Sequence, residues 1–136
     1  MATKKNTAKR ASLNLNMGLV GLIALIVLVA RSPLSLPEGI DLGVGLLLVV
    51  VLTVMFFTRR SDEYTLELWS AGANAAFGVM LLSLTAGPFA EGFIEGFNAA
   101  HDGREPSEEF DYSLVPNLAI IAFFLTFNIK RLLGAF

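Results

Sequence analysis

Four stretches of this chain carry no charged residue: Ala11 to Ala30, Leu42 to Thr58, Leu68 to Ala90 and Tyr112 to Ile129. At ~1.5 Å per helical residue, each is long enough to cross a hydrocarbon layer ~30 Å thick, with the second run the shortest. A buried helix of a soluble domain rarely strings together more than about 14 apolar residues. Four such runs in 136 residues point to an all-α integral membrane protein with four transmembrane helices. Composition agrees. Charged residues make up only 16% of the chain, against roughly 25% in soluble domains.

The basic residues set the orientation. Lys4, Lys5, Lys9 and Arg10 precede the first run, Arg59 and Arg60 separate the second from the third, and Lys130 and Arg131 follow the fourth. Only Arg31 and Arg104 lie in the other two connections. Because Lys and Arg in short loops stay on the cytoplasmic side, both termini are expected there, in a multi-pass protein of the cell inner (plasma) membrane. The acids run the other way. Glu38, Asp41, Glu91, Glu95, Asp102, Glu105, Glu108, Glu109 and Asp111 fall outside, against Asp62, Glu63 and Glu67 inside. The first run reads as an uncleaved span, since Val29-Ala30-Arg31 is a poor small-x-small cleavage site.

Local signals divide the chain as follows. A basic tail occupies 1–12, span one 13–30, an outer loop 31–40 and span two 41–58. A cytoplasmic turn takes 59–65, span three 66–88, an amphipathic outer helix 89–100 and an acidic outer loop 101–112. Span four covers 113–130 and the C-terminus 131–136. Ser12 is the expected N-cap of span one and Ser61 that of span three, with Asp62 and Glu63 in the positive first turn. Pro33 and Pro37 are expected to keep the segment from Arg31 to Pro37 out of any helix. Pro37 and Glu38 are suited to open span two, and Pro106 a turn in the acidic loop. The short connection at Arg59–Glu63 predicts that spans two and three pair as an antiparallel hairpin. Gly87-Pro88 predicts a kink or break before the outer helix.

Three groups of residues are candidate sites. Span three carries the small and polar side chains, and Gly72, Asn74, Ala75, Ala76 and Gly78 form its expected packing face. Small residues let backbones approach, and an amide can bond across the gap, within the bundle or to another subunit. In the outer helix, Phe89, Phe93 and Phe97 share one face, an expected docking or anchoring surface. Glu91 and Glu95 point to the opposite side. With His101 they make a weak candidate cation site, whose plain alternative is a solvated polar face. Asn14, Asn16, Asn117 and Asn128, near span ends, are expected to bond at headgroup level.

Much chemistry is excluded. The chain has no cysteine, so disulfides, thiolate metal sites and Fe–S clusters are out. Its one histidine, His101, lies in a loop, so no imidazole is available at membrane depth to ligate a haem. No phosphate loop, nucleophile elbow, metalloprotease motif or nucleic-acid module occurs, and no cofactor or nucleic-acid partner is expected. The expected function is that of a non-catalytic accessory or structural subunit of a larger inner-membrane complex. Its partners would be membrane lipids and other membrane subunits, as a hetero- or homo-oligomer. The alternative is a small homo-oligomeric channel whose acidic outer mouth attracts cations. A lipid-directed enzyme using Glu91, Glu95 and His101 ranks below both.

Overall fold

The structure is a computed structural model. It describes residues 2–34, 37, 39–105 and 110–134, with side chains from Asn6 onward apart from 31–34. Expectations for Glu38, for Pro106 and for the side chains of Lys4, Lys5 and Arg31 lie outside the described residues. Four helices follow one another: α1 (Ala2–Leu34), α2 (Ile40–Thr58), α3 (Glu63–Asp102) and α4 (Leu114–Leu133). Each is long and apolar enough to cross a membrane. No strand occurs among the described residues.

Several helix ends differ from expectation. α1 begins at Ala2, so Ser12 lies inside the helix rather than capping it. It ends at Leu34, one residue past Pro33. In a last turn the missing proline N–H removes only one terminal bond. Before α2, the Ile40 N–H donates to the Pro37 carbonyl at 3.1 Å. The cap of α3 is Asp62, not Ser61. The Asp62 carboxylate accepts the Thr65 N–H at 2.7 Å, and the Thr65 hydroxyl accepts the Asp62 N–H at 3.3 Å. Ser61 instead donates its hydroxyl to the Thr58 carbonyl at 2.6 Å, closing the turn. One residue separates the two readings because Ser and Asp are both good caps, and Asp62 has the extended backbone of a cap.

The expected α2–α3 hairpin is replaced by two others. α1 packs along α2 and α3 along α4, and the pairs meet chiefly where α1 touches α4. Past the tight turn, α2 and α3 splay apart, linked near it by the Phe56 and Trp69 rings, 6.0 Å apart edge to face. Glycines explain the choice. A Cβ on Gly18 would stand 2.3 Å from the Phe127 ring, and one on Gly21 2.0 Å from the Phe124 ring. On α3, a Cβ on Gly72 would stand 2.9 Å from the Phe123 ring and 3.0 Å from its carbonyl oxygen. Three aromatics of α4 thus fill notches in α1 and α3. With Leu25, Leu48, Val51, Met55 and Leu68 they form the core.

One end of the bundle carries the start of α1, the α2–α3 turn and the end of α4; we call it the terminal end. A belt of hydrogen bonds binds all four helices there. Asn14, with no exposed surface, donates to the Met55 carbonyl at 2.9 Å and the Thr58 hydroxyl at 2.8 Å. Asn128 donates to the Gly18 carbonyl at 3.0 Å and to its own helix at Phe124, 2.8 Å. Arg131 reaches the Leu15 carbonyl at 2.7 Å, and Lys130 meets Glu67 at 2.6 Å. Asn14 and Asn128 are therefore interhelical ties, not headgroup ligands as expected. Their spacing to Gly18 and Gly21 on one helix face, and to Phe124 and Phe127 on another, was the available signal. Asn128→Leu is expected to lower stability by about 1 kcal/mol, the usual scale of an interhelical bond in a membrane. Exposed Asn16→Leu is the control. Equal melting of the two variants in detergent would refute the tie.

Candidate functional site

The segment that stands apart from the bundle is the far end of α3. This helix has 40 residues, about 60 Å, whereas its partner α4 has 20, about 30 Å. Lys130 beside Glu67, Phe123 beside Gly72 and Phe110 beside Gly87 give one antiparallel register. It brings the start of α4, Leu114, level with Leu82 and the preceding loop at Phe110 level with Gly87, so α3 continues beyond. The expected break at Gly87-Pro88 does not occur: Pro88 lies inside α3. The expected separate outer helix is the last third of α3. A proline costs a helix one hydrogen bond and strains the preceding turn, and long helices absorb both.

The extension is braced from its own end. Gly103 takes the left-handed conformation at φ 65°, and its N–H bonds the Ala99 carbonyl. The Arg104 N–H also bonds Ala99, at 3.0 Å. This reversal swings Arg104 back along the helix. Its guanidinium meets Glu95 in a two-pronged pair at 2.6 and 3.2 Å, a geometry that suits planar carboxylates. Asp102 lies 3.6 Å from the same group. Glu95 is only 9% exposed, so it does not face solvent as the helical wheel suggested. Nine residues separate the pair, across a glycine turn that a wheel cannot represent. Further along, the Phe110 ring sits on Gly87 and stacks edge to face on Tyr112 at 5.0 Å. Hydrogen bonds from the Ser113 side chain and amide hold the Asp111 carboxyl below the usual carboxylate range.

A groove of about 510 Å³ opens between the extension and this returning loop, lined by Glu91, Glu95, Asn98, Phe110 and Asp111 among others. Glu91 is half-buried there, while His101 is exposed. Glu95 already has its cationic partner in Arg104. Among the described residues, no group of three or more histidine and carboxylate side chains comes together to hold a metal. The other sequence-predicted face is plainer. Phe89, Phe93 and Phe97 are 82%, 78% and 70% exposed. Gly92 and Gly96, between them, have open space where a Cβ would stand. None of the described residues covers this stripe.

The packing face of span three divides in two. Gly72 is buried against α4, and Ala76 is half-buried against the core. Asn74 is exposed, and Gly78 has nothing within 4 Å of an added Cβ. Ala75 is half-buried between the two sets. At the other end of α2, Asp41 in the first helical turn and Asn117 of α4 line a cleft of about 570 Å³ between α1, α2 and α4. Asp41 suits the positive end of its helix. Comparison with family models, with curated proteins and with solved structures finds no match for the chain.

Proposed function

We propose that this chain is a non-catalytic accessory subunit of a larger inner-membrane complex, crossing the bilayer four times with both termini in the cytoplasm. The observation that carries this reading is the Phe89, Phe93, Phe97 stripe. Three phenylalanines more than two-thirds exposed sit on a helix extension braced by a two-pronged ion pair. Burying each ring would contribute roughly 1.5–3 kcal/mol. A rigid surface with a few large aromatics is what a partner's pocket recognises, because little conformational entropy is lost on docking. The partner is an extramembrane segment or subunit on the outer face, with an apolar groove for the rings.

The orientation rests on the basic residues of the terminal end and is tested directly. The chain has no native cysteine, so one introduced at exposed Ala8 or Glu105 is the sole thiol. In intact cells the Glu105→Cys thiol is expected to react with a membrane-impermeant maleimide, and the Ala8→Cys thiol only after permeabilisation. The reverse pattern would invert the protein and move the stripe to the cytoplasm. The complex is tested by mild detergent extraction and native mass measurement. Stoichiometric copurification of another membrane subunit is expected. A lone chain or a ring of copies only would refute the accessory reading.

A further inference from the structure

The exposed face of α3 raises a different question, because it holds an amide with no partner among the described residues. Thr53, Ser70 and Thr85 are also exposed, and each donates its hydroxyl to the carbonyl four residues back, at 2.7–2.8 Å. Asn74 makes no hydrogen bond to any described residue. Its helix cannot supply what it lacks. The side-chain oxygen needs a donor, and every N–H in mid-helix is already bonded. Six residues past Leu68, Asn74 lies well inside the hydrocarbon if α3 spans the membrane, where no water serves it either.

We propose that Asn74 meets Asn74 of a second copy, and that two α3 helices pair in parallel along Asn74, Gly78, Leu81 and Thr85. Four observations on this face favour a second copy. A carboxamide is self-complementary: it has one acceptor oxygen and two donor hydrogens. Two copies inserted the same way bring the two amides to one depth across a two-fold axis, where each satisfies the other. The spacing of the four residues is four, three and four, the heptad seam of two parallel helices, and Pro88 and Gly92 continue it. Gly78 and Gly92 both have open space for a neighbouring backbone. No charge lies on the seam from Asn74 to Thr85, so identical faces meet without repulsion. The opposite side of α3 is closed to this role, since Gly72 and Leu68 are buried in the fold. The pairing rests on the membrane-spanning reading of α3 and is independent of what covers the Phe stripe.

Single cysteines placed along α3 test this in isolated membranes, under copper-phenanthroline oxidation. Gly78→Cys, Leu81→Cys and Thr85→Cys are expected to give disulfide-linked copies. Met80→Cys and Leu84→Cys, exposed but off the seam, are expected to give at least about tenfold less. In the cysteine-bearing chain, adding Asn74→Leu is expected to lower the linked fraction about three- to tenfold, on the scale of interhelical hydrogen bonds in membranes. Asn74→Gln, which keeps the amide, is expected to retain more of it. Gly78→Leu meets nothing within its own chain, so it is expected to leave the fold intact and abolish pairing. Three results would overturn the proposal: linkage centred on Met80 and Leu84, no linkage at any position, or linkage of Gly78→Cys to a different protein. Release of the chain by alkaline washing would overturn the membrane reading and this pairing with it. Retention in the membrane without linkage would overturn the pairing alone.

Discussion

Gly21→Leu is expected to pull the two helical hairpins apart, the largest effect of any single substitution considered. The α1–α4 seam is where the hairpins chiefly meet, and Gly21 is its closest point. Even a Cβ there would stand 2.0 Å from Phe124, a ring with no exposed surface and so no free space to move into. Overpacking a filled core costs about 1–3 kcal/mol. Here the three further carbons of leucine enter the same occupied notch, and the upper end of that range applies. A fall of about 5 °C or more in the melting temperature of the detergent-solubilised protein is expected. Gly43→Leu is the matched control. It adds the same side chain to a position with nothing within 4 Å of a Cβ, and it replaces a poor helix former with a good one. If the two variants melt together, the glycine notches do not hold the bundle.

The second large effect concerns assembly rather than folding. Phe93→Ala combined with Phe97→Ala is expected to abolish copurification of the partner subunit while leaving the melting temperature of the isolated chain unchanged. Both rings are exposed, so truncation removes little that the fold uses. At a docking interface, buried aromatic anchors typically cost about 2 kcal/mol or more each when cut to alanine. Together that is roughly a thousandfold in affinity. The matching acidic control is Glu91→Gln alone. Glu95 cannot serve, because losing its charge would strand Arg104 and loosen the extension. Unchanged copurification by the double phenylalanine variant, with loss in Glu91→Gln, would move the interface to the acidic groove.

Much of this architecture was legible in the residues. Charge-free runs located all four helices because, in a chain of this kind, a charge is the costliest thing to place at mid-span. The Phe89, Phe93, Phe97 face followed from helical periodicity, and no described residue covers it. What stayed hidden depends on pairs distant in sequence. The short Arg59–Glu63 turn made α2 and α3 look like partners. Their fate was decided elsewhere, by Gly18 and Gly21 meeting Phe127 and Phe124 more than a hundred residues away. Gly87-Pro88 looked like an end because local propensity argues so, and α3 overrides it. Glu95 seemed solvated because the residue that covers it, Arg104, comes after a left-handed turn. Asn14 and Asn128 looked ordinary for the same reason: an amide near a span end is at headgroup level until another helix is known to lie beside it.

The two-hairpin arrangement also bears on how the chain enters the bilayer during synthesis. Asn14 finds acceptors for its amide N–H groups on α2, so formation of the first hairpin meets those donors, while its side-chain oxygen has no partner among the described residues. Asn128 has an acceptor on its own helix at Phe124 and can wait for Gly18 without lying bare in lipid. In the second hairpin the Asn74 side chain makes no hydrogen bond to a described residue, and the proposed pairing of two copies would supply one after the hairpin has formed.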